Sequence, residues 1–269
     1  LHTTDGGTTW TNQTSGVLNN LYGVIFPEVS RHIIVGNSGR ISNSINRIKW
    51  DADSSGVTEN LRAISLVNEK FAVAVGQSGT IVRTTNGGET WNSQSSGTTK
   101  SLRGVSFINT NVGTAVGESG TIIRTINGFA WSNQTSGTPT DLEEVYFMNT
   151  TYGFAVGAQG TIIHTDDGTT WSNQTSGVVQ DLTSLSFVNA NTGTVVGKNG
   201  IILRTTNGGA VWNDQSGITA EDLYGVSFIN SNVGTAVGTN GVVIHTTNGG
   251  TTWATQTSGT GVRLENVVH

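Results

Sequence analysis

Tryptophan sets a fixed interval in this chain. All seven tryptophans, Trp10, Trp50, Trp91, Trp131, Trp171, Trp212 and Trp253, recur 40 or 41 residues apart. Such a period means one supersecondary unit written many times, each copy covering faces that its neighbour leaves bare. Two further columns keep the interval. Glycine recurs at Gly36, Gly76, Gly117, Gly157, Gly197 and Gly238. The run L-x-x-V-x-F begins at Leu21, Leu102, Leu142 and Leu223, with close variants at Leu61 and Leu182.

One period holds four short β-leaning pieces. Between Leu102 and Gly137, "LRGVSFI" alternates apolar and polar residues, as a half-buried strand does. "GTAVG" follows it, then "GTIIRT" after a glycine turn, then "FAWSNQ" after a second turn at "INGF". No apolar stripe at helical spacing occurs. Four strands in a period near 40 predict an all-β chain, a β-propeller of four-stranded antiparallel blades. A parallel β-helix is the competing architecture, but its coils are shorter. Six complete periods follow Trp10. "LHTTDGGTTW" at the N-terminus reads as the end of a third strand and a fourth strand, and Arg263–His269 reads as a first strand. The expectation is seven blades, with the ring closed by N- and C-terminal strands sharing a blade. Six blades with loose ends is the alternative, because neither end carries a "GTAVGxxGTI" segment. The whole of 1–269 reads as a single propeller domain, a fragment of a longer protein being the alternative.

Composition narrows the function classes. Thirteen Lys and Arg against 18 Asp and Glu give a net charge of -5, which argues against a nucleic-acid glove or a polybasic membrane contact. The absence of cysteine excludes disulfides, thiolate catalysis and Cys-ligated metals. No apolar run reaches the length of a membrane-spanning helix. The expected location is periplasmic or extracellular.

The segment ending at each tryptophan resembles the Asp-box, or BNR repeat, whose pattern is Ser/Thr-x-Asp-x-Gly-x-Thr-Trp. Thr3–Trp10, Thr84–Trp91 and Thr246–Trp253 match it, and Thr205–Trp212 departs at Val211. Thr125–Trp131 and Thr165–Trp171 are one residue shorter, and Ser42–Trp50 is degenerate. The residue types describe a turn. Asp5, Asn86, Asn127, Asp167, Asn207 and Asn248 offer side-chain oxygens to backbone N–H groups just ahead. The glycine after them accepts a left-handed backbone. The tryptophan buries its ring, and its indole N–H needs a partner. The motif is therefore expected to be a structural hairpin and not a catalytic or metal loop. Asp166, Asp167 and Gly168 do not meet the spacing of a calcium loop. No cofactor-binding, metal-binding or catalytic set is expected.

The repeat as a whole resembles the photosystem II assembly and stability factor family typified by YCF48. The resemblance rests on L-x-x-V-x-F-x-N-x-x-x-G-x-A-V-G-x-x-G-T-I-x-x-T-x-N-G-G-x-T-W, nearly intact at Leu102–Thr125 and Leu223–Trp253, and extends over essentially all 269 residues. It implies a seven-bladed propeller without enzymatic activity that uses a rim or face to bind protein. Sialidases also carry Asp-boxes, but no insert here breaks the repeat to build a pocket.

Columns that vary within a regular array are the candidate binding surface. The residue after the first-strand leucine is Tyr22, Arg62, Arg103, Glu143, Thr183, Tyr224 or Glu265. The residue after the "AVG" glycine includes Glu118 and Lys198, and a third column, before the Asp-box, holds His2, Asn43, Arg83, Arg124, His164, Arg204 and His245. The expected rim is Tyr22, Arg62, Arg103, Glu143 and Tyr224, with a basic cluster of Arg40, Arg47 and Lys49. The sequence thus reads as a non-catalytic scaffold for a protein partner, an assembly factor or adhesion module. A lectin-like propeller, or an accessory domain of a secreted glycoside hydrolase, is the alternative, with a glycan as its partner.

Overall fold

A computed structural model describes residues 1–5, 7–13, 15, 19–25, 32–44 and 50–268. Six four-stranded antiparallel sheets follow one another along the chain, spanning residues 21–54, 61–94, 102–134, 142–174, 182–214 and 223–256. In each, sequence neighbours are sheet neighbours, the meander of a propeller blade. The third sheet serves as the type: Leu102–Phe107, Gly113–Gly117, Ile122–Thr125 and Ser132–Gln134. Its second strand is buried along its whole length, while its fourth is largely exposed. The gradient follows composition: "GTAVG" has no side chain that needs water, and "SNQ" has little else.

Two glycine columns are set by close approach. Gly113 opens the second strand beneath the Phe107 ring, where a Cβ would stand 2.5 Å from ring carbons. Gly120 closes the turn between second and third strands at φ +68, and a Cβ there would stand 1.9 Å from the Thr138 carbonyl oxygen. The residue before it, Ser119, is itself left-handed at φ 55.

The seven-bladed expectation is corrected to six. A seventh sheet needs a second strand to bridge its first and third, and no segment among the described residues supplies one. Among the described residues the chain ends contribute one isolated bridge, between His2 and Thr11, and no ladder after Gln256. The expected shared closing blade is therefore absent as a sheet. The two ends instead cover the sixth sheet. Leu264 donates its N–H to the Gly238 carbonyl at 2.9 Å, and Trp10 and Leu264 pack with Val237, Val243 and Val267.

The chain divides into two compact units. One comprises Thr14–Gly153 and Thr165–Ser172, the other Leu1–Gln13, Phe154–His164 and Asn173–His269. In the first unit, Phe71, Val75, Leu102, Val105, Phe107 and Ile123 build one core, and Ile33, Val35, Ile41, Leu61, Val82 and Trp91 another. In the second, Val196, Leu223, Val226, Phe228, Ile244 and Trp253 pack into one cluster.

Candidate functional site

The repeated turn is built as its residue types require. Thr84 Oγ1 donates to Asn86 Oδ1 at 2.9 Å and accepts the Gly88 N–H at 2.9 Å. Asn86 Oδ1 also accepts the Thr90 N–H at 3.0 Å. Asn127, Asp167, Asn207 and Asn248 repeat the pattern, as does Asp5, whose Oδ1 accepts the Thr9 N–H at 2.9 Å. Each of these six boxes spends its side-chain oxygens on closing its own turn. Among the described residues, no three of His, Asp and Glu gather to hold a metal ion.

Sequence reasoning missed how each box is tied to the preceding sheet. At several junctions the glutamine that follows one tryptophan clamps the tryptophan box ahead of it, although Gln215 only donates to the Gly249 carbonyl at 3.3 Å and leaves the buried Trp253 indole N–H without a partner. Gln134 Oε1 accepts the Trp171 indole N–H at 2.9 Å while its Nε2 donates to the Gly168 carbonyl at 2.9 Å. Gln94 does the same for Trp131 and Gly128, at 3.1 and 2.9 Å. Gln174 accepts from Trp212 at 3.2 Å, and Gln256 from Trp10 at 3.0 Å. The signal was present as a glutamine three residues after every tryptophan except Trp50. At the junction of the first two sheets Asp53 stands in the glutamine column, bonded to Asn43, and the buried Trp91 indole N–H has no partner.

The first strands of the first four sheets lie against one another in order, with Gly104 Cα so close to the next strand that a Cβ would stand 2.8 Å from Glu144 Cα. This brings Tyr22, Arg62, Arg103 and Glu143 into one row. The Arg62 guanidinium lies over the Tyr22 ring, 5.5 Å from its centroid, and its Nε is buried without a hydrogen-bond partner. Tyr22 donates its hydroxyl to Asn37 Oδ1 at 2.7 Å. Arg103 is ion-paired to Glu143, to Asp141 at 2.9 Å and to Glu118 at 3.7 Å. Burial pushes the Glu143 carboxyl above the ordinary carboxylate range, outweighing the pull of Arg103. Glu118 is held low, chiefly by the Ser101 N–H.

Asp141 was not among the sequence candidates. It belongs to an Asp/Asn column immediately before the first-strand leucine. Asp141 Oδ1 accepts the N–H of left-handed Ser119 at 2.8 Å, and Asn60 and Asp222 do likewise for Ser38 and Asn199.

Tyr224 lies in the other unit, beneath the Arg263 guanidinium at 4.7 Å, with its hydroxyl 3.3 Å from Asp222 Oδ2. Arg40 spends its Nε on Ser42 Oγ at 3.1 Å. Arg47 and Lys49 lie outside the described residues, and so does most of the basic cluster they were to form with Arg40.

Residues 126–217 match the family of the photosynthesis system II assembly factor YCF48. The resemblance read from the repeat is thereby borne out over a stretch that includes Trp131, Trp171 and Trp212. No curated protein matches the chain in sequence. Among solved structures, YCF48 from Cyanidioschyzon merolae is similar at a TM-score of 0.75 with 16% identity, over 91% of this chain and 87% of that one. A structure of YCF48 bound to D1 peptide is similar at 0.54 with 17% identity, over 73% and 80%. The Niastella koreensis GH74 enzyme is similar at 0.70 with 15% identity, over 94% of this chain and 47% of that one. These likenesses establish the propeller fold.

Proposed function

We propose that this chain is a non-catalytic propeller scaffold that binds a segment of a partner protein along the row of Tyr22, Arg62, Arg103 and Glu143. The observation that carries the reading is the match to the YCF48 family, one of whose structures holds a D1 peptide. The row supports it physically. Arg103 already has three carboxylates around it, whereas Arg62 stacks on Tyr22 with a buried Nε still lacking an acceptor. An unmet donor on a charged group is costly, and an incoming carbonyl or carboxylate relieves that cost.

Phage-displayed random peptides selected on the wild-type chain, then measured by fluorescence anisotropy, test the reading. The expected result is a consensus carrying an acceptor for Arg62, weakened about tenfold, near 1.4 kcal/mol, by Arg62→Glu. Failure to enrich any peptide, or release of reducing sugar from xyloglucan by the purified chain, would overturn it. A glycan-array signal unaffected by Arg62→Glu would favour the lectin-like alternative.

A further inference from the structure

The arginine before the Asp-box threonine is used identically in two sheets. Arg124 donates to Thr114 Oγ1 at 2.6 Å and to the Thr150 carbonyl, with its guanidinium over Phe147. Arg204 donates to Thr194 Oγ1 at 2.7 Å and to the Ser231 carbonyl at 2.6 Å, over Phe228. In both cases the threonine stands directly across the ladder on the second strand.

Arg83 stands in the same column but faces Val73 across its ladder, which has no hydroxyl. Its guanidinium lies instead between two rings, 4.8 Å from the centroid of Phe71 and 4.4 Å from that of Phe129. Its Nε is buried without a hydrogen-bond partner, and no ion pair or hydrogen bond reaches it among the described residues. Burial lowers its pKa, yet a guanidinium stays charged at neutral pH. Two aromatic faces compensate a cation in part, but they leave its N–H donors unmet. The site opens to solvent on an apolar loop. Phe129 is 63% exposed, and Ile126 in the same loop is 75% exposed. The other boxes carry threonine, aspartate or glycine at most of the corresponding positions.

We infer that Arg83, Phe129 and Ile126 form a second docking site, for a partner-protein segment that presents a carboxylate beside an apolar side chain. The carboxylate takes the unmet donors of Arg83, and the apolar side chain covers Phe129 and Ile126. Charge complementarity sets the first requirement and exposed area the second. The strand register puts this site at the opposite strand ends from Arg62, since Leu61 pairs with Gly76 whereas Ala72 pairs with Thr84. It is therefore independent of the row proposed above.

The test is an NMR titration of the full chain with two tetrapeptides, acetyl-Leu-Asp-Phe-Glu-amide and acetyl-Leu-Asn-Phe-Gln-amide. The acidic peptide is expected to shift the Arg83 side-chain N–H and the Ile126 methyls, and to bind about tenfold tighter than its amide analogue. Val73→Thr hands Arg83 the acceptor that Thr114 gives Arg124, so it should weaken acidic-peptide binding while the fold is kept. Arg83→Gln should abolish the shifts at the Ile126 methyls, whatever the same peptide does at the row of Tyr22, Arg62, Arg103 and Glu143. Equal binding of the two peptides, shifts confined to other residues, or Ile126 shifts retained in Arg83→Gln would each overturn the proposal. If Val73→Thr loses its dispersed amide spectrum, Arg83→Gln and Phe129→Ser decide the matter.

Discussion

Replacing Gln134 by leucine isolates the bond that ties one sheet to the next. The shapes are similar, so packing along the fourth strand changes little. What is lost is both halves of a clamp: the acceptor of the Trp171 indole N–H and the donor to the Gly168 carbonyl, each at 2.9 Å. Two neutral hydrogen bonds contribute ~0.5–1.5 kcal/mol each, and an indole N–H left unsatisfied adds ~1–3 kcal/mol. Trp171 is only 7% exposed, so water cannot freely replace the glutamine. The expected cost of Gln134→Leu is about 2–4 kcal/mol. Urea unfolding followed by tryptophan fluorescence reads it as a lower midpoint at unchanged slope. A double-mutant cycle with Trp171→Phe removes the contribution of ring size and should leave a coupling of about 1 kcal/mol. A Gln134→Leu chain within about 0.5 kcal/mol of wild type, or a cycle with no coupling, would refute the clamp as a stabilising element.

Three further outcomes follow from the same geometry. Gly113→Ala drives a methyl to 2.5 Å from the Phe107 ring, which itself meets Trp131 edge-on at 5.7 Å, so overpacking should cost about 1–3 kcal/mol in a urea titration. Hydrogen bonds from Thr9 and Thr3 hold the Asp5 carboxyl down at about 2. Its contribution to stability is therefore complete above the unfolded carboxylate pKa of about 4 and is lost as pH falls through about 2. Asp5→Asn should flatten the unfolding midpoint against pH across that window; an unchanged slope would contradict the assignment. The Trp91 indole N–H, buried but unpartnered, should resonate upfield of the clamped Trp171 indole N–H and exchange faster with deuterated solvent. Equal shifts and rates would show that Trp91 has a partner after all.

Strand content, sheet order and the turn at each Asp-box were legible because they depend on local residue type and on a period that repeats. "LRGVSF" alternates, Gly120 must be left-handed, and Asn86 faces the N–H groups just ahead of it. The number of sheets was misjudged because the terminal fragments match individual columns of the repeat, and a column match cannot supply a missing second strand. Contacts between sheets were illegible for a related reason. Gln134 looks like an exposed residue of a polar "SNQT" strand, and its partner lies 37 residues ahead. The row of Tyr22, Arg62, Arg103 and Glu143 was found as a set of variable positions. Sequence alone did not show that Arg103 would be neutralised by Glu118, Asp141 and Glu143 while Arg62 kept a buried Nε free. Across the ladder Arg83 faces Val73 where Arg124 faces Thr114, a difference visible in the sequence and meaningful only once the ladder register is known.

The glutamine clamp also bears on how such a chain can be lengthened or shuffled. The written period, from one first strand to the next, is not the unit of cohesion. Gln94 belongs by sequence to the second sheet, but its bonds are to Trp131 and Gly128 in the third. A duplication that copies a segment from glutamine through the following tryptophan carries both halves of a latch and inserts cleanly. One whose breakpoint falls between them joins an orphaned amide to an orphaned indole at each seam. The seam with Asp53 opposite Trp91 has that character, and it marks where recombination between copies would leave the least to break.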